Sequence, residues 1–175
     1  MKKAVPLLIV LTVLAAVTVI SIRLLPAGQN NARQGGRNVR GHIFPGNVGG
    51  YNLTDLVEGE AAQANIEMLH GGVGIEVTDA FVATYTRDRE SFILWISVSG
   101  TEDDAHYLLD IMDEKIPAST VFTNRQVLQT ESNTYYYVTG AGMENFYWVE
   151  GTRVFWVGIM AQNLMEALQL IINNF

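Results

Sequence analysis

The sequence predicts an α+β fold: an antiparallel sheet of about six strands with helices mainly on one face, preceded by an N-terminal transmembrane helix. Three observations support this prediction. An uncharged apolar run lies near the start of the chain. Six later segments are rich in β-branched and aromatic residues and are joined by short polar turns, which favour antiparallel neighbours. Three further segments carry apolar residues at helical spacing, so helices can pack as a layer on the sheet.

The composition excludes several classes of function. The 175 residues include no cysteine and only three histidines, which rules out disulfide scaffolds, thiolate nucleophiles, iron–sulfur clusters and cysteine-based zinc sites. Residues 1–50 carry six basic and no acidic residues, whereas residues 51–175 carry five basic and eighteen acidic residues, a net charge of −13. A domain with that charge repels phosphate backbones, so we expect no nucleic-acid partner.

Residues 1–25 are predicted to form a membrane anchor. The nineteen residues from Ala4 to Ile22 carry no charge, and as a helix they extend about 28 Å, close to the bilayer's hydrocarbon thickness of about 30 Å. The competing interpretation is a signal peptide cleaved after Ala27, but the run exceeds the length of about 7 to 15 residues that is usual for such a segment. We therefore expect a retained, single-pass anchor in the cell membrane.

The charges on either side of the anchor indicate its orientation. Lys2 and Lys3 favour a cytoplasmic N-terminus, while four arginines after the run favour the opposite orientation. Because the first flank usually dominates, we expect the C-terminal domain on the extracytoplasmic side. The sequon Asn52-Leu53-Thr54 is compatible with that side.

Residues 26–50 are predicted to form a flexible basic linker rich in Gly, Asn and Arg. Their few apolar residues bury too little surface to offset the entropy of the chain. The arginines favour contact with anionic lipid headgroups or with a partner, and a solvated spacer is the alternative. We expect membrane lipid to be a partner of the anchor and the linker together.

Residues 51–175 are predicted to form an acidic globular domain built from helices and strands. Thr101 and Asn163 are capping residues that begin helices, and Gly71-Gly72 and Pro117 are helix-ending residues. The predicted elements are a helix at 58–70, strands at 75–86 and 91–99, a helix from 101 to 116, strands at 120–130, 134–139, 145–150 and 153–160, and a helix from 163 to the end.

The second predicted strand has two unequal faces. Phe92, Leu94, Ile96 and Val98 point one way and are expected to face the core. Trp95 points the other way and therefore needs separate cover.

The order of elements and the segment 140–157 carry a resemblance. That segment reads Gly-Ala-Gly-Met-Glu-Asn-Phe-Tyr-Trp-Val-Glu-Gly-Thr-Arg-Val-Phe-Trp-Val. It resembles uncharacterised, membrane-anchored prokaryotic α+β domain proteins, and the outline of the domain is similar to the PsbP/Mog1-like α+β sandwiches. The resemblance implies no activity, because fold does not determine function.

The middle helix carries an acidic patch whose members recur at spacings of three and four residues and so share roughly one face. A histidine among carboxylates has the ligand chemistry for a divalent cation. A solvated helix face explains the same pattern, and exposed side chains on one straight helix rarely enclose an ion. We therefore predict no metal site there. The acidic patch comprises Asp103, His106, Asp110, Asp113 and Glu114.

Aromatic residues on three successive strands predict an interaction surface. Because strand side chains alternate, about half of them point away from the core, and an uncovered outer set forms an amphipathic patch of the kind that protein partners bind. Coverage by the first helix is the alternative. The candidate surface comprises Trp95, Tyr136, Tyr147 and Phe155.

These features together predict a non-catalytic interaction or accessory domain with a protein partner, tethered on the extracytoplasmic face of the membrane. No residue is predicted to be catalytic or to bind a cofactor, because the sequence has no Ser-His-Asp order and no phosphate-binding motif. Gly140-Ala141-Gly142 is interpreted as a hairpin turn. The alternative function is a ligand- or ion-sensing module with a pocket between sheet and helices, which a deep cavity lined by Tyr and Trp would favour.

Overall fold

The computed structural model describes residues 44–70 and 77–175; for residues 67–70 it describes the backbone only. Eight strands form one antiparallel sheet in the order β1-β2-β3-β4-β8-β7-β6-β5. The elements are β1 Asn47–Val48, β2 Tyr51–Glu58, α1 Glu60–His70, β3 Val77–Arg87, β4 Glu90–Ser99, α2 Glu102–Lys115, a 3-10 turn Ile116–Ala118, β5 Phe122–Gln129, β6 Thr134–Gly140, β7 Met143–Glu150, β8 Arg153–Met160 and α3 Leu164–Ile172.

The predicted count of about six strands is wrong, because β1 and β2 precede the first helix. The sequence of β2 does not alternate: Tyr51 is buried, and Asn52, Thr54 and Asp55 are all exposed. A bulge between Leu53 and Asp55 breaks the two-residue period on which the prediction relies. Hydrogen bonds to β3 make this segment a strand, and those bonds are contacts between residues far apart in the chain.

Two antiparallel units meet at the centre of the sheet. The β3–β4 hairpin and the β5–β8 meander are separated in sequence by α2, and β4 pairs with β8 so that Trp95 lies opposite Trp156. The two-residue β1 and the eight-residue β5 are therefore the edge strands of the sheet. Because α2 connects two strands that are not neighbours, it lies across the sheet, over β8, β4 and β7.

The helices cover both faces of the sheet, so the prediction of helices mainly on one face is also wrong. The α3 face carries the apolar side of α3 together with Phe92, Leu94 and Ile96, which are buried as the alternation predicted. Val98 packs against the same core but is only partly buried. The opposite α1–α2 face carries Trp95, which packs against α1, and the cluster formed by α2. A strand with apolar residues on both faces needs a covering layer on each face. In this sheet, α3 covers one face, and α1 and α2 cover the other.

The predicted helix starts at Thr101 and Asn163 are confirmed. The Thr101 side chain accepts a hydrogen bond from the backbone N–H of Asp104, and the Asn163 side chain accepts one from the N–H of Glu166. Both bonds satisfy N–H groups that a helix leaves unpaired at its start. The first of these helices, α2, carries three acidic residues in its first turn, which the positive end of the helix dipole favours.

The folded domain begins before Tyr51. Phe44 and Val48 are buried in the core of the α3 face, although the composition assigns both to the linker. Gly49, in the turn after β1, has a φ of +55° and lies against Leu170 of α3, so that a side chain there would collide with Leu170. The last part of the predicted linker therefore packs on the domain.

The predicted transmembrane helix lies outside the described residues. Within 44–70 and 77–175, no helix combines the length and the apolar character needed to cross a bilayer.

Candidate functional site at the β5 edge

Four rings form an aromatic ladder across the α1–α2 face of β5 to β8. Tyr136, Tyr147 and Trp156 occupy directly opposed positions on β6, β7 and β8. Their rings are stacked, with centroids 5.0 Å apart in the first pair and 4.9 Å in the second. Phe122 of β5 closes the aromatic ladder edge-on to Trp156 at 5.1 Å. Cross-strand contacts of this kind are the unit of sheet stabilisation, so the aromatic ladder ties the four strands together.

Phe122 reaches the aromatic ladder by crossing Gly140. The two residues are opposite each other on β5 and β6. A Cβ atom at Gly140 would collide with the ring of Phe122 and with the backbone carbonyl of Val121. Gly140 is therefore glycine because the phenyl ring occupies the space where a side chain would stand, and this contact sets the position at which β5 joins the sheet.

An ion pair connects α2 to β5 above the aromatic ladder. Arg125 donates two hydrogen bonds to Asp113, from Nε and Nη2, each 2.6 Å long. The hydroxyl of Tyr147 donates a third bond of 2.6 Å to the same carboxylate. The guanidinium also lies 5.4 Å from the ring centroid of Tyr136. A bidentate arginine–carboxylate pair adds geometric specificity as well as energy, so these contacts fix the position of α2 relative to β5.

The pKa values of Asp113 and of the two tyrosines in this cluster are shifted away from neutral pH. Burial by itself would raise the pKa of Asp113, but the hydrogen bonds from Arg125 and Tyr147 outweigh it and hold that pKa below its usual value. Burial first, and then the hydrogen bond to Asp113, raise the pKa of Tyr147 well above its ordinary value. Burial and the charge of Asp113 likewise raise the pKa of Tyr136. At neutral pH the carboxylate is thus charged and both phenols are neutral, which is the state that a structural cluster requires.

The predicted acidic patch divides into two kinds of residue. Asp113 is half-buried and faces the sheet, whereas the other four members are exposed. The described residues contain no group of three or more histidine, cysteine or acidic side chains arranged to hold a metal ion. The exposed members are Asp103, His106, Asp110 and Glu114.

The predicted aromatic surface is not one surface. Tyr147 and Phe155 are fully buried, and Trp95 and Tyr136 are half-buried. Phe155 lies on the α3 face, because it is Trp156 that stands beside Tyr147 in the β7–β8 register. The cover over Tyr136 and Tyr147 comes from α2, whereas the first helix covers only Trp95. The sequence shows that aromatic residues lie on successive strands, but the pairing register of those strands determines the face to which each side chain points.

Two exposed apolar residues of the sheet, Val127 and Leu128, are neighbours on the edge strand β5, and a third, Met160, ends β8. We use the name β5 edge for residues 126–129 on the side of β5 away from β6. All four residues are exposed, and the apolar pair Val127 and Leu128 are 45% and 37% exposed. No other described strand lies on that side. An edge strand of this kind presents a row of backbone donors and acceptors to a partner strand.

The opposite edge of the sheet is less open. β1 has only two residues, and β2 beside it carries the exposed Asp55 and a bulge in its pairing with β3. Short length, bulges and charged side chains are common ways in which edge strands avoid pairing with other chains. β5 also has a bulge, between Thr123 and Gln126, but the segment 126–129 beyond it has a regular register and neither charge nor proline. The β5 edge is therefore the better docking strand of the two.

Three residues of this site were missed by sequence reasoning. Arg125 is the only charged residue of β5, and Val127 and Leu128 are adjacent apolar residues in the otherwise polar stretch 123–129. The pattern Gln-Val-Leu-Gln at 126–129 places one glutamine and one apolar residue on each face of the strand, so neither face is fully apolar, which is typical of an edge. Arg125 carried no comparable indication, because its partner Asp113 lies in a different element.

The comparisons with known proteins concern the fold. A crystal structure of a GTP binding regulator from Thermotoga maritima is similar to this chain, with a TM-score of 0.51 and 14% sequence identity, over 77% of this chain and 84% of that chain. At this identity the similarity shows only that the two chains share a fold, and it carries no information about function. No protein-family model matches the chain, and no curated protein matches it. The resemblance based on residues 140–157 stays a prediction, because none of these comparisons tests it.

Proposed function

We propose that this chain is a non-catalytic interaction domain, tethered to the extracytoplasmic membrane face by residues 1–25, that presents the β5 edge to a protein partner. The observation that supports this proposal is the open edge itself, where no strand of the described residues pairs with the outer backbone of β5 and where Val127 and Leu128 are exposed on opposite faces of the strand. Strand addition at such an edge draws affinity from main-chain hydrogen bonds and specificity from alternate side chains.

The strongest polar groups near the edge already have partners within the domain. Asp113, Arg125 and Tyr147 satisfy one another, and their hydrogen bonds join α2 to the sheet. A catalytic group needs a pKa near the working pH and access to a substrate. The pKa of Asp113 is lowered and that of Tyr147 is raised, both away from neutrality, which supports a structural role.

The alternative of a ligand- or ion-sensing module has less support. A sensing pocket lined by Tyr and Trp needs those rings to face a cavity. Tyr147 and Trp148 are instead buried, and each ring stacks against a neighbour on β8. The packing of these rings favours a closed interior.

A matched pair of lysine variants tests the proposal. The full chain, Val127→Lys and Met165→Lys are each co-expressed with a differently tagged copy of the same variant and purified from mild detergent, and the proteins that accompany each, the second copy included, are identified. A lysine at the edge disfavours strand pairing, so we expect Val127→Lys to lose its partner. Met165 is 60% exposed on α3, which packs on the face of the sheet opposite to Val127, and its lysine variant should keep the partner. Retention of the same partner by Val127→Lys would contradict the proposed docking strand.

A further inference from the structure

The hairpin after β5 shows which backbone groups face the open edge. The N–H of Thr130 donates to the carbonyl of Asn133 at 2.9 Å, so these two residues form a hydrogen-bonded pair across the turn. The same register continues without a shift through residues 126–129. Because hydrogen-bonded and non-hydrogen-bonded pairs alternate in an antiparallel ladder, Leu128 bonds inward to β6. Val127 and Gln129 therefore point their N–H and C=O groups outward.

A bulge limits the length of this regular edge. The register shifts between Thr123 and Gln126, and Asn124 has a φ of +57°. A bulge kinks the strand and disturbs the ladder on both of its sides. The outward groups that a partner strand can use in regular geometry are thus those of Val127 and Gln129.

We infer that the partner at the β5 edge is a second copy of this chain, paired antiparallel through β5 with Leu128 at the two-fold axis. This inference rests on the proposed function. In a two-fold antiparallel pairing whose axis is normal to the sheet, directly opposed side chains lie on the same face, so opposed residues are an even number of positions apart. The residue midway between them therefore lies opposite its own copy at the axis. With Leu128 at the axis, Val127 of each copy stands opposite Gln129 of the other. Each of these two pairs exchanges both of its N–H···O bonds.

The two neighbouring registers use the edge less well. With Gln129 at the axis, the flanking bonds of Val127 require Glu131, which lies in the turn after β5. With Val127 at the axis, the central pair still forms, but the flanking bonds of Gln129 require Arg125, which lies within the bulge. The pairing centred on Leu128 needs only the regular residues. It is therefore the register that satisfies the most outward backbone groups.

The side chains of the edge are compatible with self-pairing in this register. Leu128 stands opposite Leu128 of the second copy in a non-hydrogen-bonded pair, where side chains come closest. The regular segment 126–129 carries no charged side chain that this pairing would bring together. No like charges face each other, although the domain as a whole carries a charge of −13. Like charges directly opposed would destabilise such a ladder.

The contact is small, so its affinity is expected to be weak. Interfaces below about 1,200 Å² are usually transient. Disulfide cross-linking detects such a weak contact better than a measurement of molecular mass in solution. The chain is suited to cross-linking because it contains no cysteine of its own. A single introduced cysteine therefore reports only on its own position.

The test compares Leu128→Cys with Gln126→Cys in the full chain, purified in mild detergent and oxidised gently. Both residues lie on the same face of β5, opposite Tyr135 and Tyr137. In the inferred register the two copies of residue 128 are adjacent, within the Cα separation that a disulfide allows, about 4.4 to 6.8 Å. The two copies of residue 126 are roughly 13 Å apart along the strand, beyond that reach. We expect Leu128→Cys to form the disulfide-linked dimer about tenfold faster than Gln126→Cys, since only the former has bridging geometry in the paired state.

The outcomes separate this inference from the proposed function. Addition of Val127→Lys to Leu128→Cys should reduce the rate of cross-linking to that of Gln126→Cys. Equal rates for the two cysteine variants, or no dimer from either, would overturn self-pairing. If self-pairing fails and Val127→Lys still loses a co-purified protein, the docking strand stands with a different occupant. If Val127→Lys also loses nothing, both proposals fail.

Discussion

Asp113 differs from the other members of the acidic patch in what its carboxylate contacts. It accepts three hydrogen bonds, two from Arg125 and one from Tyr147, whereas Asp110, one turn away, is exposed. Removal of one partner from such a cluster costs more than the bonds themselves contribute, because the remaining polar groups lose their partners while still partly buried.

We therefore expect Asp113→Ala to lower the free energy of unfolding by about 1 to 2 kcal/mol, since a buried hydroxyl and a guanidinium are left without the carboxylate. Asp110→Ala, on the same helix, should change it by less than about 0.5 kcal/mol, as exposed substitutions usually do. Urea unfolding of the two variants measures both values. Equal effects would show that the α2–β5 ion pair contributes no specific stability.

Gly140 and Gly158 provide a second comparison at the residue scale. At Gly140 a Cβ meets the Phe122 ring and a backbone carbonyl, whereas at Gly158 it meets mainly the flexible end of Met143. We expect Gly140→Ala to destabilise the domain by about 1 to 3 kcal/mol through overpacking, and Gly158→Ala to cost less because Met143 can move. Thermal unfolding of both variants checks the order, and a larger loss at Gly158 would contradict it.

At the scale of elements, one carboxylate joins four segments. Glu90, at the start of β4, accepts a hydrogen bond from the backbone N–H of Gln162 before α3, and others from Arg87 of β3 and Tyr51 of β2. Arg87 also donates to the carbonyl of Gly49 in the turn after β1. The hydrogen bond from Gln162, followed by those from Arg87 and Tyr51, lowers the pKa of Glu90 to about 2.

This lowered pKa predicts an acid-sensitive stability. A carboxyl whose pKa is lower in the folded state stabilises the fold when it is ionised, and that contribution is complete above its ordinary pKa of 4.5. It is lost as the pH falls from there toward about 2. We expect the thermal midpoint of the protein to fall over this interval more steeply than that of Glu90→Gln. Parallel curves would show that the four-segment contact does not depend on the charge of Glu90.

At the scale of the whole molecule, the domain includes part of the predicted linker. Phe44 and Val48 are buried beside α3, and the carbonyl of Pro45 accepts a 2.8 Å hydrogen bond from the buried Tyr85. These contacts close one end of the core of the α3 face. The composition of residues 26–50 conceals them, because two apolar residues are scattered among Gly and Asn.

A protein that begins at Phe44 should therefore be more stable than one that begins at Tyr51. The loss of the buried Phe44 and Val48 side chains is expected to cost about 3 kcal/mol, from the usual value of apolar burial. Both versions should remain soluble, since the net charge of −13 lies in residues 51–175. Urea unfolding measures the difference. Identical stabilities would place the start of the folded domain at Tyr51.

The proposed membrane topology has its own test. Protease added to intact cells or spheroplasts should remove the C-terminal domain, because we expect it on the extracytoplasmic side. Protection of the domain until the cells are lysed would contradict this orientation. The result is independent of the partner at the β5 edge.

The sequence by itself determined local structure wherever neighbouring residues carry the information. Thr101 and Asn163 begin helices because a side-chain oxygen bonds to an N–H three residues on. Phe92, Leu94 and Ile96 share a buried face because strand side chains alternate. These contacts join residues close in the chain, so composition and spacing suffice to predict them.

Only the tertiary structure decided what depends on pairing between distant segments. The partnership of Asp113 with Arg125, the opposite facing of Tyr147 and Phe155, the presence of β2 and the position of β5 at an edge all follow from strand order and register. A shift of one residue in register turns every side chain of a strand to the other face. The same aromatic sequence is therefore compatible with an exposed patch or a buried ladder, and long-range pairing selects the ladder.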